Sequence, residues 1–194
     1  NGKWYAISQD YLLSIEAEIE RRINRCPTQL LPWTVNPKNN KYEEGYYNQL
    51  YINEQDFLYL DKALYHFPGT TSSIEVADIF QAPEKKLFCV KKLIRSSTLS
   101  HLFSQATVSA SLFKDLEVYR QAFVRQVSAR WPNLNIQSVD DYLRDLTFVY
   151  AIGDNRTTDI VGTLPIFSKI NLVKHARILT RFGYGVEIVR INMV

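Results

Sequence analysis

An acid and a lysine on two neighbouring apolar runs are the residues best placed to do chemistry. Asp78 lies in the run Ser73–Phe80, and Lys91 lies in the run Leu87–Ile94, two residues after Cys89. Residues two apart on a strand share a face, so Cys89 and Lys91 point the same way, and Asp78 joins them if the two runs pair as a hairpin. A carboxylate there binds a hard divalent cation, and the lysine stabilises charge on a nearby phosphate. The pattern favours a metal site beside a bound phosphate, and the alternative is that Lys91 is an edge-strand charge with Asp78 as its ion-pair partner.

Other polar residues complete this hypothesis. Asp78 and Glu44 are the predicted magnesium ligands, and Glu75 is a further candidate acid, although its odd spacing turns it away from Asp78 unless a bulge re-aims it. Gln105, on the following helix, is the last member of the predicted catalytic group. The residues expected to contact the substrate are Lys92, Arg95, His101 and Lys169. The basic residues among them could equally form solvated faces of a hairpin and a helix.

His101 supports a second, metal-independent hypothesis. Five residues separate Arg95 from His101, a spacing shared with helical HEPN-type ribonucleases, in which such residues handle the scissile phosphate without a metal. Histidine titrates near neutral pH and suits general acid–base work. That fold is all-helical, whereas Arg95 is predicted at a strand end, so a local structural role for His101 stays open.

Hydrophobic periodicity predicts a mixed α/β chain. Helices are expected near residues 12–23, 42–53, 97–110, 116–130, 140–146 and 167–182. Strands are expected near 3–8, 57–60, 73–80, 87–94, 147–152 and 186–191. From residue 42 the order is helix, three strands, helix, a helical insertion at about 115–146, strand, helix and strand, which predicts a mixed sheet flanked by helices. We expect an N-terminal strand–helix arm and linker over 1–41 and a core over 42–194.

The element order and the acid–lysine pair resemble the PD-(D/E)xK superfamily, whose members share a restriction-endonuclease-like αβββαβ core. The resemblance implies that Asp78 is the first acid, Lys91 the lysine and Gln105 the helix glutamine. Cys89 stands at the position of the second acid, and a thiol is a poor magnesium ligand. The resemblance therefore predicts a magnesium-dependent endonuclease whose acid pair is incomplete.

A second resemblance covers most of the chain. It rests on the segments Ile74–Asp78, Val90–Lys92, Ser97–Gln105 and Leu164–Lys169, together with the pair Tyr47-Asn48. These are similar to a bacterial family described as sporadically distributed, which is encoded near restriction–modification and other defence genes and lacks an assigned activity. The resemblance implies a part in bacterial defence, and we expect a nucleic-acid partner, DNA rather than RNA. A catalytically inert nucleic-acid-binding or scaffolding domain is the alternative.

Composition excludes several other classes. The net charge of +3 permits nucleic-acid binding without requiring it. Cys26 and Cys89 form no CxxC pair, which argues against a zinc site or a disulfide scaffold and favours a cytoplasmic protein. No apolar run has the length of a membrane span and no signal peptide is visible, so no membrane partner is expected. The chain begins with Asn1, and we expect a piece of a longer protein, with its other domains or a second copy as partners.

Overall fold

A computed structural model describes residues 7–61, 64–66, 73–156 and 158–194 of the chain. The helices in these ranges are α1 (Gln9–Arg22), α2 (Glu44–Gln49), α3 (Ser96–Asp115), α4 (Glu117–Arg130), α5 (Val139–Arg144), α6 (Ile160–Thr163) and α7 (Ile166–Arg181). The strands are β1 (Asn24–Arg25), β2 (Phe57–Tyr59), β3 (Leu64–His66), β4 (Ser73–Glu75), β5 (Ile79–Gln81), β6 (Lys86–Lys92), β7 (Thr147–Asp154) and β8 (Gly185–Asn192). The predicted α/β class, a mixed sheet flanked by helices, is confirmed.

Six of these strands form one sheet in the order β1-β8-β7-β6-β5-β2. Strands β6, β7, β8 and β1 are parallel to one another, whereas β5 is antiparallel to both β6 and β2. The chain thus follows the predicted order of helix, three sheet strands, helix and strand in α2, β2, β5, β6, α3 and β7. Strands β3 and β4 form a separate two-stranded ribbon, and α4 and α5 occupy the predicted helical insertion.

Two apolar clusters cover the faces of the sheet. Helices α1, α3 and α7 pack over the larger cluster, which includes the fully buried Phe103 and Phe148. On the other face α2 and the segment before it cover a smaller aromatic cluster, in which Trp33 stacks on Tyr47 with ring centroids 4.8 Å apart. A Cβ on Gly153 would lie 2.5 Å from the Trp33 ring, so only glycine fits beneath it.

The predicted strand over Ser73–Phe80 is wrong as a single element. It is divided into β4 and β5, and the predicted antiparallel hairpin with the following run is formed by only three residue pairs, from Ile79↔Phe88 to Gln81↔Lys86. At the break, Ser109 Oγ of α3 donates a 2.6 Å hydrogen bond to the carbonyl oxygen of Val76, so this backbone group is bonded to the helix.

Two other predicted elements also differ. The helix expected over 42–53 is restricted to α2, with turns after it, since a helix with Gly45 near its start is weak. The predicted strand at 3–8 lies mostly outside the described residues. Within the predicted arm, Ile15 and Ile19 of α1 belong to the main core and β1 extends the sheet beside β8, so this segment packs as part of the same fold.

The helix expected over 167–182 is present as α7. Helix α7 begins directly after Pro165, and Gly183 adopts a φ of 87° two residues after the helix ends, the conformation that terminates many helices. No helix in the described ranges is long and apolar enough to cross a membrane.

Candidate functional site: an acidic cavity at the end of strand β6

Asp78 is the centre of the candidate site. It immediately precedes β5, where its backbone N–H still donates to the carbonyl of Phe88 at 3.0 Å. Its own carbonyl accepts from the backbone N–H groups of Leu60 and Asp61, at 2.9 and 3.0 Å. Asp78 therefore joins the end of β2 to the centre of the sheet, and its side chain is only 8% exposed.

Two donors fix the Asp78 carboxylate. The Asn48 side chain donates from Nδ2 to Oδ1 at 3.0 Å, and the Val90 backbone N–H donates to Oδ2 at 2.8 Å. Asn48 is 1% exposed, and its own Oδ1 has no hydrogen-bond partner within the described part of the chain. Because one donor acts on each oxygen, the carboxylate plane is set by α2 and β6 together.

Three carboxylates converge at this point. Asp61, Glu75 and Asp78 each offer an oxygen, and these oxygens lie within 4.8 Å of one another, close enough for one metal ion. In a continuous strand, the odd spacing of Glu75 and Asp78 would place them on opposite faces. The chain leaves the strand conformation between β4 and β5, so Glu75 can point toward Asp78. Asp61 was not predicted, since its only sequence signal is that of an acid after a short strand.

The electrostatics of the cluster leave Asp78 poorly neutralised. Burial raises the pKa of Asp78 to about 7, and the negative charges of Glu75 and Asp61 add to the increase, while the Val90 N–H and the positive charge of Lys91 oppose it. A carboxyl group with a pKa this high is typical of sites in which a ligand supplies the missing positive charge.

The three carboxylates line a cavity of about 620 Å³ between α2 and α3 at the carboxyl end of β6. Its described walls carry five carboxylates and two lysines. Five of the predicted residues line this cavity with Asp78: Glu44 on α2, Glu75 on β4, Lys91 at the end of β6, and His101 and Gln105 on α3. The cavity is thus acidic, and a cation is the ligand best suited to its floor.

Glu44, the second predicted magnesium ligand, lies on the wall of the cavity beside Lys91. Its carboxylate forms an ion pair with Lys91 Nζ and accepts a 3.4 Å hydrogen bond from the Lys92 backbone N–H. It lines the cavity but is not one of the three converging carboxylates. Glu44 therefore holds the lysine, and Asp61 and Glu75 form the converging group with Asp78.

The remaining predicted substrate contacts are dispersed. Lys92 Nζ lies 4.8 Å from the centre of the Tyr42 ring, a cation–π contact beside the cavity. Arg95 is exposed at the N-terminus of α3 and is not among the described lining residues. Lys169 is bound to Glu16 at 2.9 Å, where α7 meets α1. The structure brings His101 into the cavity and leaves Arg95 outside it.

Cys89, at the sequence position of the second acid, is part of the core. It is 0% exposed within the larger apolar cluster, and burial raises the pKa of its thiol well above the usual range. A protonated, buried thiol is neither a nucleophile nor a ligand for a hard cation. The three converging acids of the cavity come instead from β4, from the turn after β2 and from the residue before β5.

The fold and the cavity define a mixed α/β domain with a carboxylate cluster that can hold a metal ion. Residues 1–192 match the model of DUF6119, a family of unknown function, and the chain belongs to that family. No curated protein and no solved structure matches the chain.

Proposed function

We propose that this domain is a magnesium-dependent nuclease of the restriction-endonuclease-like type that acts on DNA. The observation that carries the proposal is the convergence of Asp61, Glu75 and Asp78 at the floor of the cavity that Lys91 also lines. The resemblances in the sequence add the expectation of a role in bacterial defence.

The donor set fits a hard divalent cation. Asp61, Glu75 and Asp78 offer only oxygen ligands, which magnesium prefers, and the soft ligand Cys89 is excluded from the cavity. These three side chains would hold the ion. When bound, it would polarise a phosphoryl oxygen and lower the pKa of a coordinated water.

The other residues have distinct roles in this proposal. Asn48 and Val90 fix the orientation of the Asp78 carboxylate. The ion pair with Glu44 keeps the Lys91 ammonium at the cavity wall, where it can stabilise charge on a phosphate. His101 and Gln105 on the α3 wall can donate hydrogen bonds to the same phosphate or to the leaving group.

The charge of the cavity makes the cation a condition for substrate binding. Five carboxylates against two lysines repel a polyanion, so DNA enters the cavity only after positive charge has been added to its floor. We therefore expect tight binding of DNA with calcium, which commonly supports binding without cleavage, and weak binding in the presence of a chelator.

A cleavage assay with the purified chain tests the proposal. With magnesium, single-stranded or duplex DNA should be cut, and Asp78→Asn should abolish cutting. Lys91→Ala should lower the rate by roughly 10²–10³, the usual contribution of one electrostatic stabiliser. Lys114→Ala, which removes an exposed lysine near the end of α3 whose ammonium lies over the Tyr184 ring, is the matched control and should leave the rate unchanged.

Two outcomes would contradict this mechanism. Cleavage of RNA that survives chelation and Asp78→Asn but is lost in His101→Ala would favour the metal-independent ribonuclease. Binding of DNA without cleavage under any metal would favour the inert binding domain.

A further inference from the structure

A second group of reactive side chains lies at the opposite end of β6. Lys86 begins that strand, and its side chain is 8% exposed. Its Nζ donates to Glu187 Oε2 of β8 at 2.7 Å and lies 3.6 Å from the Cys26 sulfur, just after β1. A buried amine, a thiol and a carboxylate are therefore in mutual contact, away from the acidic cavity.

The sheet explains why these groups meet. Lys86 shares a face with Phe88 and Val90, and Glu187 lies two strands away on the same face, both in register with residues of β7. The small Thr147 opposite Lys86 leaves room for the lysine to reach across β7. Cys26 is fixed above them, because its backbone N–H donates to the carbonyl of Ile188 at 2.9 Å.

The pair is held in place by other contacts as well. The half-buried Cys26 packs against the smaller apolar cluster, and Thr28, two residues on, donates to Gln81 at 3.1 Å on β5. Burial, together with Glu187, raises the pKa of the Cys26 thiol, so the sulfur keeps its proton at neutral pH. The distance between sulfur and nitrogen is thus maintained by the backbone on both sides.

We propose that Cys26 and Lys86 are the site of an oxidative cross-link in which one oxygen atom bridges the sulfur and the side-chain nitrogen. The oxidant is dioxygen. The S–H bond and two N–H bonds break, the O–O bond breaks, and one S–O and one O–N bond form. The second oxygen atom leaves as water, and the remaining proton of the ammonium passes to Glu187. Sulfur and nitrogen together lose the four electrons that dioxygen gains.

The link would join the segment after β1 to a central strand of the sheet. It would close a loop from residue 26 to residue 86 that contains Asp61, Glu75 and Asp78. A cross-link over a loop of this length restricts the unfolded chain, so the oxidised protein should melt at a higher temperature than the reduced protein. The proposal is independent of any activity of the acidic cavity.

Intact-mass measurement tests the proposal. The chain held in air-saturated buffer should gain about 14 Da, one oxygen less two hydrogens, and lose it again when a thiol reductant is added. Digestion should yield one peptide pair joined through Cys26 and Lys86. Cys26→Ser and Lys86→Arg should prevent the gain, whereas Lys85→Arg, at the neighbouring residue whose ammonium faces Asp145, should retain it.

Two results of the mass measurement would overturn the inference. Wild-type protein that keeps its mass in air, or that gains about 16 or 32 Da on Cys26 without a linked peptide, forms no bridge, only sulfur acids. These outcomes need only the wild-type chain, so they remain decisive if a variant fails to fold. Cys89 serves as an internal control, since its fully buried thiol should stay unmodified.

Discussion

The two ends of strand β6 differ in how the charged side chains near them are neutralised. At the start of the strand, Lys86 and Glu187 are both largely buried and neutralise each other at 2.7 Å. Near its end, three carboxylates converge, and Lys91, a lysine that lines the same cavity, is paired with Glu44.

The difference indicates which end is structural. A buried, paired charge costs little more than the apolar residues that could replace it, whereas an excess of buried like charge destabilises the folded chain. The balanced end needs nothing else to complete it. At the acidic end the raised pKa of Asp78 means that a proton or a bound cation would stabilise the folded chain, which is the property expected of a ligand site.

Removing one partner of the ion pair between Lys86 and Glu187 should give the largest change in the free energy of unfolding. Lys86→Met removes the ammonium and leaves Glu187 buried without its partner, so the free energy of unfolding should fall by about 3–5 kcal/mol. Urea denaturation of the reduced protein measures this. Lys85→Met is the matched control and should change stability by less than about 0.5 kcal/mol, because its pair with the exposed Asp145 is weak. Equal effects of the two variants would contradict the comparison.

Removing a carboxylate from the acidic end should instead raise the free energy of unfolding. The pKa of Asp78 is raised from 3.8 to about 7, so its contribution to stability is complete below pH 4 and is lost as the pH rises through 7. Asp78→Asn avoids that loss and should stabilise the metal-free protein at pH 8 by on the order of 2–4 kcal/mol. The gain should vanish near pH 4. The exposed Asp56→Asn is the control and should change the stability at pH 8 by less than about 0.5 kcal/mol. Destabilisation by Asp78→Asn at pH 8 would refute the argument.

The smallest expected effect is on metal affinity. It tests whether Asn48 orients the Asp78 carboxylate for metal binding. Asn48→Leu has a similar volume but removes the donor to Asp78 Oδ1, which should weaken magnesium or manganese binding about 10-fold, the lower end for a residue that orients a metal ligand. Titration calorimetry of the purified chain measures the affinity. Asn53→Leu, at an exposed turn, is the control. Unchanged affinity in Asn48→Leu would show that Val90 alone orients the carboxylate.

The sequence predicted the parts of the site that lie on regular elements. Lys91 on β6 and Gln105 on α3 follow from strand and helix periodicity, and both line the cavity with Asp78. The parts that depend on irregular backbone could not be predicted. Asp61 is brought in by a hydrogen bond from its own N–H to the carbonyl of Asp78, and Glu75 by the break between β4 and β5.

In the sheet, too, some strands could be predicted from the sequence and others could not. The apolar runs of β6, β7 and β8 were predicted because parallel central strands are buried on both faces. The two residues of β1 carry no pattern of their own, and they pair with β8 because Cys26 and Trp33 are bonded to the last strand through Ile188 and Asn192. Such a contact between distant segments leaves no local signal in the sequence.

The hydrogen bonds of Asp78 also determine how the domain can fluctuate. One residue bonds to Leu60, Asp61 and Phe88 through its backbone, and to Asn48 and Val90 through its carboxylate. Local opening of any of these segments must therefore release the others, so their amide hydrogens should exchange with solvent as one cooperative unit. Binding of a ligand in the cavity would then change the amide exchange rates on β6 and at the end of β2 by a common factor.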